Sequence, residues 1–169
     1  AEPLIKAVDY IKKSGKNKKI KTVVFSAKGK QFNQKTAYDW AKKYDQLVLI
    51  TGRYEGIDER VKKVLHAEEV SIGPYVLTDG DVAVMAIVSS VSRLVPGVLG
   101  NTESLTEESF ACDALPISYK LKPKSYVVEY PHYTRPEVLT YGGKKYRVPK
   151  VLLSGDHKKI EEWRRRQRA

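Results

Sequence analysis

The chain has 169 residues, enough for one compact domain with a real core, or one domain and a short appendage. Lys and Arg outnumber Asp and Glu by 31 to 20, and the resulting charge of +11 and pI near 9.6 suit a polyanionic partner, nucleic acid first and an anionic membrane surface second. No apolar run could span a bilayer, the amino terminus AEPLIKAVDYIKK lacks signal-peptide order, Cys112 is the single cysteine and no Cys/His set has metal-ligand spacing, so a reducing cytoplasm is expected.

Leu4, Ile5, Val8 and Ile11 lie on one face at helical spacing, and the Lys-rich SGKNKKIK ends the pattern in an exposed loop. TVVFSAKGK reads as a short β-branched strand ending in a Gly-containing loop. Ala37, Trp40, Ala41 and Tyr44 then form a helical stripe with Asn33 as N-cap. The unit repeats: DQLVLITGRYEG is strand, loop and turn, and Ile57, Val61, Val64 and Leu65 follow at helical spacing. Such apolar strand runs are buried on both faces, as parallel strands with crossover helices are, so the expected class is α/β. A third strand-like piece, EEVSIGPYVLTDGD, leads into VAVMAIVSSVSRLV, apolar nearly all round and so expected to be a buried helix stopped near Pro96. Gly97 to Arg135 is turn-rich and too long for an ordinary connection. VLTYGGKKYRV predicts a hairpin about Gly142 and Gly143, and Asp156 predicts the cap of a last helix with Ile160 and Trp163 inward and arginines outward.

In an open α/β sheet ligands sit outside the carboxyl ends of the strands. Three loops qualify: Ser26 to Gly29, Thr51 to Gly56, and Ser71 to Gly80. Each holds glycine, which lets a ligand lie against bare backbone, although for each loop taken singly a plain turn is the better explanation of the glycine. There is no GxxxxGK[ST], no GxGxxG between strand and helix and no GxSxG, and His66, His132 and His157 are scattered, so nucleotide triphosphates, NAD and a hydrolase triad lose ground.

In order and at their separations, GRYEGIDERV, SIGPYVLTDGD, SRLVPGVLGN, EESF, PHYTRPEV and VPKVLLSGDHKKIEEWRRRQ resemble the bacterial tRNA (guanine-N1)-methyltransferases of the TrmD type, over nearly the whole chain. The resemblance implies the SPOUT methyltransferase class: a mostly parallel sheet with helices on both faces and a carboxyl-side trefoil knot that holds S-adenosylmethionine. It implies a homodimer with shared active sites, and methyl transfer to guanine N1 of the tRNA nucleotide 3′ of the anticodon. Carried over by residue, the cofactor is held by Gly52 and by Ile72, Gly73, Pro74, Tyr75, Val76 and Leu77, with Tyr54, Glu55, Gly56 and Gly80 completing the pocket and Ser26 near the adenosine. Glu55 is the carboxylate expected near the sulfonium and is linked to an assisting Mg2+; spacing alone reads it equally as a loop acid capping the next helix. The family's catalytic arginine matches Arg93 of SRLVPG, and its aspartate falls on Glu108 of EESF, with Asp113 a second candidate base. Outside the family, Arg93 reads as a helix C-terminal cation and Glu108 as a turn acid.

There are departures from the family pattern. Glu108 is one methylene longer than aspartate, GGELPAM appears as DGDVAVM, with Asp79 for a glycine and Ala83 for a proline, and ACDALPISYKLKPKSYVVEY is long enough to add structure over the site. Residues 1–154 are expected to form the methyltransferase domain without the family's first strands, and 155–169 a basic helix leading to a tRNA-binding domain. Arg164, Arg165, Arg166 and Arg168 there would contact phosphate, or are a solvated basic helix end. Two further readings stay open: a non-catalytic RNA-binding or dimerisation module, and a SPOUT methyltransferase acting on another RNA.

Overall fold

The computed structural model describes residues 1–53, 56–100, 109–110 and 129–167, in two compact units, 1–100 and 101–169. The first unit runs α1 (Glu2–Ser14), β1 (Ile20–Gln31), α2 (Gln34–Lys43), β2 (Gln46–Ile50), α3 (Glu59–Leu65), β3 (Glu68–Ser71) and α4 (Asp81–Ser92). Its three strands are parallel in the order β2-β1-β3, with β1 central. The connection from β1 to β2 and that from β2 to β3 run in opposite directions across β1, so crossovers of one hand put their helices on opposite faces. The core shows this division. Val8 of α1 and Val61 and Leu65 of α3 pack with Val24, Val48 and Ile50 on one face. Ala37 and Trp40 of α2 and Ile87 and Val91 of α4 pack with Val23 and Val70 on the other.

The helix starts follow the sequence. Asn33 Oδ1 accepts from Thr36 N at 2.9 Å at the head of α2, satisfying one of the donors every helix leaves open there. Two stripes differ from expectation. Val64 is 56 % exposed, because Val61 and Leu65, four apart, take the sheet-facing positions of the short α3 and leave Val64 to the side. The helix α4 is not buried all round: Ala83, Ile87 and Val91 form the buried stripe, while Val82, Met85 and Val88 are 53 %, 70 % and 50 % exposed. Its sheet-facing stripe repeats every four residues, and no described element of the unit covers the opposite face.

The strand β1 is longer than TVVFSAKGK suggests. It pairs with β3 through Phe25↔Val70, loops out over residues 26–29, and pairs again at Lys30↔Val70 and Gln31↔Ser71. Gly29 makes the return possible, since a Cβ there would lie 2.6 Å from Val70 N and 2.7 Å from its carbonyl carbon. Because that obstacle is backbone, Gly29→Ala is expected to cost about 1–3 kcal/mol of stability, read as a lowered urea midpoint with unchanged slope.

In the second unit, the antiparallel β4 (Val138–Tyr141) and β5 (Lys144–Arg147) join through Gly142 and Gly143 at φ +55 and +73, the doubly positive turn that matches strand twist. A 3-10 turn, Lys150–Leu153, precedes α5 (His157–Gln167). Asp156 Oδ1 accepts from Lys159 N at 3.2 Å, as its place before the helix predicts. Ile160 and Trp163 are half-buried, and the Trp163 ring centroid lies 6.3 Å from that of Tyr133. No helix among the described residues is long and apolar enough to cross a membrane.

Candidate active site

At the carboxyl ends of all three parallel strands a cleft of about 250 Å³ opens between the loop 26–29, the start of the loop after β2, and the loop after β3. This is where an open parallel sheet presents ligand sites, because loops leave neighbouring strands toward opposite faces there. Ser26, Gly52, Ile72, Gly73, Tyr75, Val76, Leu77 and Gly80 all line it. The loop after β3 is held by its own polar groups: Ser71 Oγ donates to Gly73 O at 2.9 Å and accepts from Gly73 N at 3.2 Å, and Tyr75 OH donates to Ile72 O at 3.2 Å. The Tyr75 ring folds over Gly73, where a Cβ would come within 2.2 Å of it. Gly80 lies so close to Thr51 that a Cβ would sit 2.8 Å from the Thr51 Cβ. The glycines therefore let loops pack on one another, which a single-loop reading of the sequence does not disclose.

Other expected residues lie elsewhere. Pro74 belongs to the loop but does not line the cleft. Gly56, at φ +99, lines a neighbouring hollow with Lys28, Glu59, Lys62 and Glu69. Tyr54, Glu55, Glu108, Asp113 and Arg168 lie outside the described residues, as does nearly all of the long segment after EESF. Arg93 is the C-cap of α4, whereas Ala83 near the opposite end of that helix lines the cleft. At 1.5 Å per residue the two are about 15 Å apart along the axis, so one chain does not bring Arg93 to its own cleft. In the second unit, Arg164 stacks over the Tyr130 ring at 4.8 Å, Arg166 pairs with Glu162 at 2.5 Å, and Arg164 and Arg165 share an exposed face of α5.

One cleft residue escapes motif reading. Arg53 lines the cleft and pairs with Asp81 at 2.9 Å; its partner is 28 residues away, beyond any local pattern. Its hydrogen bond to Asp81 and the charges of Asp81 and Asp79 raise the Arg53 pKa above its ordinary value. Asp79 also lines the cleft, and its Oδ1 accepts from Asp81 N at 2.9 Å, placing a carboxylate at the positive end of α4.

Behind the cleft, Asp58 caps α3 through Arg60 N at 2.9 Å and pairs with the Arg60 side chain, so both charges serve the helix start. Hydrogen bonds from Lys28 and Lys62 lower the Glu59 pKa to about 2 from an ordinary value of 4.5. A depressed carboxylate contributes stability that is complete above the unfolded value and fades as pH falls through the folded one. Stability should therefore fall between about pH 4.5 and 2, and Glu59→Gln should flatten that part of a melting-temperature profile.

These features define an open parallel α/β unit whose carboxyl-edge loops build a glycine-rich, partly apolar ligand cleft. A family profile described as tRNA (guanine-1)-methyltransferase TrmD matches residues 1–169. The chain is 46 % identical over 166 residues to the tRNA (guanine-N(1)-)-methyltransferase of Carboxydothermus hydrogenoformans, covering 98 % of this chain and 57 % of that protein. The protein of the same name from Borrelia turicatae is 46 % identical over 165 residues, with 97 % and 60 % covered. That from Dictyoglomus turgidum is 45 % identical over 166 residues, with 98 % and 58 % covered. The chain belongs to the TrmD tRNA (guanine-1)-methyltransferase family, and it spans 57–60 % of the length of these relatives.

The cleft fits a nucleoside-bearing cofactor. Val70, Ile72, Val76, Leu77 and Ala83 give apolar walls for a flat heterocycle, the glycine-bearing loops offer backbone groups at their rims, and Asp79 supplies negative charge suited to a sulfonium. Among the described residues no group of three or more His, Cys, Asp or Glu side chains is gathered for a metal, and Glu55, tied by resemblance to Mg2+, is not among them.

Proposed function

We propose that the protein methylates guanine N1 in tRNA, at the nucleotide 3′ of the anticodon, using S-adenosylmethionine. It works in the cytoplasm as a SPOUT-class homodimer with a trefoil knot at the carboxyl side of its sheet. The observation that carries this reading is the cleft lined by Gly52, the loop after β3 and Gly80, the residues the family resemblance assigns to the cofactor. S-adenosylmethionine, when bound, supplies a methyl group activated by a positive sulfur.

The chain's residues must then free the guanine lone pair, because N1 carries a proton at neutral pH. Glu108 takes that proton as the N1–methyl bond forms and the methyl–sulfur bond breaks, leaving S-adenosylhomocysteine. As the proton leaves, negative charge grows on O6, and the Arg93 guanidinium stabilises it by a charge-assisted hydrogen bond. The span of α4 between Ala83 and Arg93 supports a site shared by two copies. The exposed apolar face of Val82, Met85 and Val88 supports α4 as their contact. Two copies of α4 packed antiparallel about a two-fold axis set Arg93 of one beside the amino-terminal end of the other, at its cleft. Arg164 and Arg165 contribute phosphate contacts that are blind to base sequence.

Nucleoside mass spectrometry tests the reading on the purified protein. Incubation with S-adenosylmethionine and a tRNA bearing guanosine 3′ of the anticodon should yield 1-methylguanosine, and the guanosine-to-adenosine tRNA should yield none. Cofactor binding with no methylated product would leave the chain a non-catalytic module. Methylation that ignores that guanosine would make it a methyltransferase for another RNA site.

A further inference from the structure

Among the described residues Arg53 is the one arginine lining the cleft, and nothing in the reaction just described uses it. Its guanidinium reaches Asp81 in the first turn of α4 at 2.9 Å. Two other contacts close the same seam, and a hydrogen bond between Asp79 and Asp81 braces its α4 side. Thr51 Oγ1 donates to Asp81 Oδ1 at 3.4 Å, Asp79 Oδ1 accepts from Asp81 N at 2.9 Å, and Gly80 lies directly against Thr51. The two sides of the seam are held differently. Asp81 belongs to a helix anchored in the core by Ala83, Ile87 and Val91, whereas Arg53 lies on a loop that leaves the sheet edge after Ile50. By contrast, the Arg60–Asp58 pair joins residues two apart at the start of α3, and Lys28–Glu59 faces the neighbouring hollow. Among these pairs, Arg53–Asp81 alone ties one wall of the cleft to another.

We propose that Arg53 is a positioning residue for the cofactor: paired with Asp81 and backed by Asp79, it clasps the loop after β2 to the amino-terminal end of α4 and so sets how tightly the cofactor is held. The proposal rests on the cofactor reading of the cleft given above. An exposed ion pair contributes little to folding, but one that preorganises a binding wall lowers the ordering cost of each binding event. The clasp acts through loop position, so it affects the sulfonium cofactor and its neutral thioether product alike. A purely electrostatic role would not, because removing Arg53 would leave Asp79 and Asp81 uncompensated and favour the cation.

The test is titration calorimetry of the protein with S-adenosylmethionine and, separately, S-adenosylhomocysteine. Arg53→Gln should weaken both ligands equally, by about 3- to 5-fold, and Asp81→Asn should match it. The double variant should lose no more than either single one, Arg53→Lys should recover most of the loss, and Arg60→Gln should bind as the wild type does. Unchanged affinity in Arg53→Gln, additive losses in the double variant, or tighter S-adenosylmethionine with unaltered S-adenosylhomocysteine would each overturn the clasp while leaving the cofactor reading intact. A wild-type protein that binds neither ligand overturns the cofactor reading and the clasp with it.

Discussion

Replacing Arg93 with alanine is expected to lower methyl transfer by about 10²–10³-fold, the usual loss when one donor to a developing oxyanion is removed. Affinity for S-adenosylmethionine should stay within about twofold, because the charge that Arg93 meets appears on guanine O6 only as the proton leaves N1. In kinetic terms kcat and kcat/KM for tRNA should fall together. The fold makes this outcome informative. Arg93 is the half-buried C-cap residue of α4 and is not part of the core stripe of Ala83, Ile87 and Val91, so the substitution should lower the melting temperature only modestly. A matching loss of stability, or a loss confined to KM, would remove Arg93 from the chemistry and return it to the role of a cation at a helix end.

The second large effect concerns Met85. At 70 % exposed it makes no contribution to the core, and Met85→Asp should shift the stability of a single chain by no more than about 0.5 kcal/mol. In the proposed dimer the same residue lies near the middle of the α4 contact. Burying an unpaired carboxylate there costs about 3–5 kcal/mol, and the two-fold axis imposes that cost twice. Sedimentation should therefore show a monomer. Because the monomer cannot bring Arg93 to its own cleft, transfer should fall to the level of Arg93→Ala, about 10²–10³-fold below wild type, while cofactor binding persists. A Met85→Asp protein that stays dimeric, or a monomer that keeps full activity, would refute the α4 contact.

Much of both units was legible in the sequence, for physical reasons. The stripe Ala37, Trp40, Ala41 and Tyr44, the cap Asn33 and the paired Gly142 and Gly143 are local signals, written within a few residues and satisfied by near neighbours. The parallel arrangement followed from apolar strand runs alternating with helices. What could not be read was set by distant partners. The excursion of β1 at residues 26–29 depends on how Gly29 meets the Val70 backbone. The exposed half of α4 had the composition of a buried helix, because an apolar face left open looks in sequence like one packed in the core. The site divided in the same way. Gly52, Gly73 and Gly80 were found because they sit in motif loops after strands. Arg53 carried no such mark because its partner, Asp81, lies a whole α/β unit further on. Asp79, first seen as a departure from a glycine, is accounted for by its hydrogen bond to the first residue of α4.

The account stands or falls on one active site being built from two copies, the cleft from one and Arg93 from the other. Subunit mixing measures this directly. One partner carries Arg93→Ala and the other Val76→Trp, which fills the cleft from a residue 90 % exposed and so leaves the core untouched. Each protein alone should be nearly inactive. After mixing and exchange, half of the dimers are mixed and each has one intact site, so methyl transfer should recover to about a quarter of wild type. Mixtures no more active than the separate variants, although exchange is shown to be complete, would contradict the shared site.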